Sequence, residues 1–251
     1  MRLHFVVHEP FEAPGAFETW ARHRGYSTAY SRVYAGDRLP AAVNEIDLLI
    51  VLGGPQSPAT PKRKCPHFDA DAEKALISRA ISANRAVIGV CLGSQLIGEA
   101  LGAKYEGSPE KEIGKFPITL TEDGIQNETL AHFGKTLSVG HWHNDMPGLT
   151  AGAKVLAYSE GCPRQIVEYN PLVYGFQCHM EFTREVIALL IAASENELAG
   201  LTHHRFVQQP DALRQNDYSE MNEKLFVFLD KLVGAYRVAS APCTDAGQPL
   251  V

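Results

Sequence analysis

The chain has 251 residues, with 23 Lys and Arg against 29 Asp and Glu and a formal net charge of −6. That balance argues against nucleic acid as a partner, because phosphate binding needs clustered cations. No stretch reaches the ~18 apolar residues of a membrane span, so no membrane partner is expected either.

Residues 3–7 read as a strand, and residues 14–24 as a helix with Pro14 near its start. The N-terminal MRLHFVVHEP lacks the long apolar run and small-residue cleavage site of a signal peptide. Residues 46–52 form a near-continuous apolar run, as in a strand buried on both faces, and end at the turn Gly53-Gly54-Pro55. The basic cluster Lys62-Arg63-Lys64 lies in a Pro-rich stretch and reads as a solvated loop rather than an anion contact. Residues 69–83 read as a helix opening on acidic side chains, which suit its positive end. A further buried strand over 86–90 runs into a helix over 92–101, stopped by Gly102.

Alternating strands and helices predict a parallel sheet covered by helices. Residues 115–175 read differently, as shorter strands over 116–120, 154–158 and 165–168 separated by Gly and Asn. They predict a small antiparallel section. A last strand over 173–177 precedes helices over 183–199 and 218–236. The expectation is an α/β fold with a mostly parallel central sheet flanked by helices, in one domain over 1–238. Residues 239–251 are expected to be a loosely ordered tail.

The five cysteines, Cys65, Cys91, Cys162, Cys178 and Cys243, are odd in number and form no CxxC pair. A disulfide framework is not expected, and a reducing, cytoplasmic setting fits.

Chemistry concentrates in AVIGVCLGSQLIGEALG, residues 86–102. Gly89-Val90-Cys91-Leu92-Gly93 has the Gly-x-nucleophile-x-Gly pattern of a nucleophile elbow between strand and helix. Side chains at Gly89 or Gly93 would collide with backbone in so tight a turn, and the positive end of the helix favours a thiolate. A cysteine in an apolar strand is usually a small core residue. The paired glycines, the strand-to-helix placement and Gln95 in the first helical turn favour the nucleophile instead. A thiolate needs a base, and the base an orienting partner. His179 and Glu181 follow the last strand two residues apart, so an extended backbone aims both side chains the same way. Alone, that pair reads as a surface ion pair; downstream of an elbow cysteine it reads as base and orienter. Gly53-Gly54-Pro55 can offer backbone N–H groups to an oxyanion, though a Gly-Gly turn usually marks only a turn. His141-Trp142-His143-Asn144-Asp145 reads as a polar loop. His-x-His could hold a metal, but no Cys or carboxylate stands nearby at a compelling spacing, so no metal is expected. His203-His204 lies outside any motif and reads as surface. The other four cysteines read as structural, with Cys178 close enough to His179 to matter under oxidation.

Cys91-Leu92-Gly93-Ser94-Gln95 resembles the CxGxQ signature of the class I, triad-type glutamine amidotransferases. The resemblance covers about residues 3–190 and is strongest to a stand-alone branch similar to the glutaminase domain of GMP synthase. Plant γ-glutamyl peptidases resemble the same branch. Gly175-Phe176-Gln177-Cys178-His179-Met180-Glu181 is similar to the family's G-x-Q-x-H-x-E element. It departs at Cys178, where the family commonly has an aromatic, and at Met180, where it has Pro.

The resemblance implies a flavodoxin-like fold and a Cys91–His179–Glu181 triad. It implies an oxyanion hole of the Gly54 and Leu92 amides, and a substrate pocket with Gln95, His143, Asp145 and, at its rim, Gln56. It implies hydrolysis of the γ-glutamyl amide of glutamine through a cysteine thioester, with no metal or organic cofactor. Two alternatives stay open. One is a γ-glutamyl peptide hydrolase acting on glutathione-like substrates. The other is a non-catalytic binding or redox-sensing protein. A DJ-1-type activity is disfavoured, because Leu92 stands where that family has His. No ATP-binding segment remains once the hydrolase is placed, so an ammonia-accepting synthetase would be a separate chain.

Overall fold

A computed structural model describes residues 1–241. Strand β1 (Arg2–Val7) leads into helix α1 (Ala16–His23), and β2 (Ser27–Arg32) into a loop and β3 (Leu48–Val51). Helix α2 (Ala70–Ser82), β4 (Ala86–Val90) and α3 (Leu92–Ala100) complete the alternating part. Then come β5 (Glu106–Leu120), α4 (Glu122–Gln126), β6 (Thr136–Met146), β7 (Lys154–Tyr158), β8 (Ile166–Asn170) and β9 (Val173–Phe176). Helices α5 (Arg184–Ala193), α6 (Glu195–Gly200), α7 (Pro210–Gln215) and α8 (Ser219–Ala239) close the described chain.

The strands form one nine-stranded sheet in the order β2-β1-β3-β4-β9-β8-β7-β5-β6. The ladders through β2, β1, β3, β4 and β9 are parallel. Those linking β9 to β8, β7, β5 and β6 are antiparallel. The antiparallel section therefore reaches well beyond the short strands expected from sequence. Every residue of β3 and β4 is buried, because helices cover both faces. Alternate residues feed two apolar clusters: Leu48, Ile50 and Ile88 join one, and Leu49, Val51 and Val87 the other. On the first face Phe228 of α8 meets Tyr174 and Phe176 of β9 edge-on, with ring centroids 5.1 and 5.0 Å away.

Local chemistry sets the helix starts. The Asp69 carboxylate accepts from the Ala72 N–H and caps α2, and Thr183 caps α5 through the Val186 N–H. The helix expected over 183–199 is interrupted at Ser194 and continues as α6. The segment His141–Asp145, read from sequence as a loop, lies inside β6 and pairs with β5. The expected tail is only partly described: α8 ends at Ala239, and residues 242–251 lie outside the described residues. Lys62, Arg63, Lys64, His203 and His204 are exposed, as expected. Among the described residues Cys65, Cys91, Cys162 and Cys178 are free thiols, and no helix is long and apolar enough to cross a membrane.

Candidate active site

The carboxyl ends of β1, β3, β4 and β9 lie side by side, the edge at which open α/β sheets place ligands. Cys91 stands there between β4 and α3 with φ +48° and ψ −107°. Only two non-glycine residues among those described have positive φ, and the other is Asn84. A strained residue held by its surroundings is how a nucleophile elbow presents its side chain. A Cβ on Gly89 would lie 2.3 Å from the Gly93 carbonyl oxygen, and one on Gly93 would lie 2.0 Å from that of Val51. Both glycines are therefore demanded by close backbone approach. The Cys91 N–H donates to the Phe176 carbonyl at 2.7 Å, tying the elbow to β9.

His179 follows β9 and is fully buried beside Glu181. Its Nδ1 lies 2.6 Å from Glu181 Oε1, and its ring stacks on Phe182 at 4.3 Å. Nε2 has no aligned hydrogen-bond partner. Burial opposes a charge on the ring, but the Glu181 carboxylate and the neighbouring Cys91 thiol more than offset it, so the His179 pKa is well above the ordinary value. The structure thus brings the imidazole within electrostatic reach of the sulfur. The backbone of His179 exchanges hydrogen bonds with Gly140 of β6. Where the family has Pro, the turn is held by other means. Asn222 of α8 donates to the carbonyls of Met180 (2.7 Å) and Phe182 (3.1 Å), and the Ala16 N–H donates to that of Glu181 (2.9 Å).

The Gly53-Gly54 turn sits between these groups. His8 Nδ1 donates to the Gly53 carbonyl at 2.8 Å, and its Nε2 meets Glu73 Oε2 at 2.8 Å, both side chains being buried. Burial disfavours the His8 charge, yet Glu73 and the Gly53 carbonyl raise its pKa above the ordinary value, and the buried His8–Glu73 contact braces the turn. Gly54 lies against Leu92: a Cβ there would be 3.1 Å from Leu92 Cδ2 and 2.4 Å from Gln56 Oε1. The turn and the first residue of α3 are thus neighbours, as an oxyanion hole would require.

Cys91, Gly54, Gln56, Gln95, His143 and Asp145 all line one cavity of about 290 Å³. Gln95 Nε2 donates to Gln177 Oε1 at 3.2 Å, leaving Gln95 Oε1 without a partner. Asp145 has its pKa raised by burial. His143 Nε2 lies 3.2 Å from Glu112 Oε2 and 3.2 Å from Gln165 Nε2, and burial lowers its pKa. Its neighbour His141 is pushed down to about 3, again by burial, and is uncharged at neutral pH.

Sequence reasoning missed Glu112, which the register sets opposite His143 across β5 and β6. It missed Glu12, which lines the cavity, and the bracing residues His8, Glu73 and Asn222. Only Glu12 and His8 had a signal, as polar residues in the loop that leaves the first parallel strand at the ligand-binding edge. Two side-chain groups could hold a metal ion, each with its ligand atoms within 4.8 Å of one another: Glu112, His141 and His143, and Glu9, Cys65 and His67. Hydrogen bonds account for part of the first group, with Glu112 Oε2 accepting from Ser159 Oγ (2.9 Å) and Gln165 Nε2 (2.6 Å), while Glu112 Oε1 and His143 Nδ1 have no hydrogen-bond partner among the described residues.

The family model described as glutamine amidotransferase class-I matches residues 17–190. The glutamine amidotransferase-like protein YfeJ of Salmonella typhimurium is 59% identical over 236 residues, covering 94% of this chain and 99% of that one. A crystal structure of a glutamine amidotransferase from Thermotoga maritima superposes with a TM-score of 0.82 at 25% identity, over 93% of this chain and 98% of that one. A GMP synthase of Phenylobacterium zucineum is 27% identical over 192 residues, which span 72% of this chain and 34% of that protein. With its α/β mixed sheet, strained elbow cysteine and His–Glu pair, the chain belongs to the class I glutamine amidotransferase family.

Proposed function

We propose that the protein hydrolyses the γ-glutamyl amide of glutamine through a thioester on Cys91. The Cys91 sulfur attacks the γ-carbonyl carbon, and the oxygen moves into the N–H groups of Gly54 and Leu92. His179, oriented by Glu181, delivers its proton to the nitrogen, the C–N bond breaks and ammonia departs. Water then gives a proton to His179 and attacks the thioester, releasing glutamate and the thiol. Gln95, His143, Asp145 and Gln56 hold the glutamyl portion. Ammonia leaves to solvent or to an ammonia-accepting synthetase on a separate chain.

The observation that carries this reading is the Cys91 backbone. A side chain held at φ +48° beside a buried imidazole, with a carboxylate 2.6 Å behind it, is the arrangement that acyl transfer requires. The test is glutamate release from glutamine by the wild-type protein and by Cys91→Ala. Loss on the order of a million-fold is expected if the triad acts as a unit. A glutamine-like electrophile should add its mass at Cys91 and at no other cysteine. Undiminished hydrolysis by the alanine variant ends the proposal.

A further inference from the structure

Glu12 is a buried carboxyl that the mechanism above does not use. It lies in the loop between β1 and α1, is 9% exposed, and lines the cavity that holds Cys91. Its side chain makes no hydrogen bond to any described residue. The other buried acids near the site are all engaged: Glu181 by His179, Glu73 by His8, and Glu112 by Ser159, Gln165 and His143. The Glu12 oxygens are not among the fully enclosed polar atoms, so the carboxyl opens to the cavity and is free to meet a group that enters it.

Its position narrows what that is. A Cβ built on Gly53 would be 2.7 Å from Glu12 Oε2 and 3.2 Å from His179 Cε1, so the carboxyl and the imidazole edge share the space over Gly53. In the proposed acylation the carbonyl oxygen turns to Gly54 and Leu92, and the nitrogen must come within reach of His179 to take its proton. The departing nitrogen, and whatever it carries, therefore enters the space that Glu12 borders. Charge adds a second constraint. Glu12, Asp145, Glu197 and Lys111 line the cavity, and Lys111 is already paired with Glu197 at 2.5 Å. No lysine or arginine of the lining is left to pair with Glu12, whose cationic neighbours are the imidazoles of His179 and His8.

We propose that Glu12 selects the leaving group, accepting a hydrogen bond from the nitrogen that departs and favouring neutral or cationic amines over amino acids with a carboxylate beside that nitrogen. This rests on the glutaminase-type reading of Cys91 and deepens it to a substrate class: γ-glutamyl amides of ammonia or of amines with a positive tail, rather than γ-glutamyl peptides. In the step itself, the S–C bond forms, the C–N bond breaks and the His179 proton goes to nitrogen. The free amine then donates an N–H to Glu12. Burial raises the Glu12 pKa above the ordinary carboxyl value, while His179 pulls it down and Glu181 pushes it up.

The test compares kcat/KM for glutamine, the γ-glutamyl amide of 1,4-diaminobutane and γ-glutamylglycine. The wild-type protein should favour the first two over the third by about tenfold or more, equivalent to ~1.4 kcal/mol. Glu12→Gln, which keeps the shape and removes the charge, should shrink that ratio by a similar factor through γ-glutamylglycine gaining relative to the others. A wild-type preference for γ-glutamylglycine overturns the proposal, as does a ratio unmoved by Glu12→Gln. If the variant does not fold, the wild-type ranking alone decides. Labelling of wild-type Cys91 by a glutamine-like electrophile tests the underlying reading separately. Labelling with the wrong ranking defeats only the role of Glu12, whereas no labelling and no turnover of any of the three defeats the glutaminase reading.

Discussion

The two halves of the sheet carry the candidate site in opposite ways. The parallel half supplies the Cys91 sulfur and the glycine turn from strand ends, and the strands themselves are apolar packing. The antiparallel half contributes side chains from within its strands: His143 and Asp145, toward the C-terminal end of β6, line the cavity, and Glu112 of β5 is paired with His143. The difference follows from burial. A strand covered on both faces has no room for polar groups, so its chemistry is expelled to its ends. A strand with one solvated face can carry function along its length.

The sharpest way to break this contrast is through glycine. Gly93→Ala puts a Cβ 2.0 Å from the Val51 backbone, which cannot swing aside. We expect a loss of about 4 kcal/mol or more, or no folded protein, measured by denaturant unfolding. Gly107→Ala in β5 meets nothing within 4 Å. It should stay within about 0.5 kcal/mol of wild type. A mild Gly93→Ala would mean that the elbow is less rigid than its contacts imply.

Glu181→Gln should come next in size. The fold should survive, since the change is isosteric, but the imidazole loses the partner that fixes its tautomer and holds its charge. A fall in glutamate release on the order of 10³–10⁴ is expected, as for other triads deprived of their acid. The sign of the pH effect is also set. Glu181 raises the His179 pKa, so its removal lets His179 lose its proton at lower pH. The alkaline limb of the rate profile should therefore shift toward acid, and a profile that stays in place would separate Glu181 from the protonation of His179.

Asn222→Ala probes the connection between the halves, because α8 reaches the His179 turn from outside the sheet. Removing the amide strips hydrogen bonds from the Met180 and Phe182 carbonyls. A loss of about 1–3 kcal/mol in stability is expected, together with a larger fall in kcat than in the affinity for glutamine. Unchanged kcat would show that the Ala16 contact to Glu181 holds the turn by itself.

The same contrast explains what could be read from sequence. The apolar runs at 48–51 and 86–90 and the glycines around Cys91 announce themselves, because burial and close approach leave few residue types acceptable. The Cys91, His179 and Glu181 positions follow from those strands. By contrast β5 reads EGSPEKEIGKFPITL, with charges and two prolines, and its half-exposed pattern hides a 15-residue strand. β2, STAYSR, lies at the sheet edge and is mostly exposed, so it carries no apolar signal. The ladder between β5 and β6 is long-range, and no local spacing announces that Glu112 meets His143. Glu12 was hidden for a similar reason: its solitude is a property of the assembled cavity.

Glu12 also offers the smallest and cleanest test of how the loop edge is built. A carboxyl whose pKa is raised on folding holds more protons in the native state than in the unfolded chain between the two pKa values. Stability contributed by the site therefore falls as pH rises through that window, from the ordinary carboxyl value near 4.5 upward. Glu12→Gln removes the titration. Relative to wild type, the variant should show no pH-dependent advantage below that value and a growing one as pH rises toward neutrality, levelling off above the folded pKa of Glu12. Thermal unfolding of both proteins from pH 4 to 8 reads the difference directly. A gap that instead closes with rising pH would mean that a cation already stabilises the carboxylate in the cavity, and the leaving amine would then have to displace it.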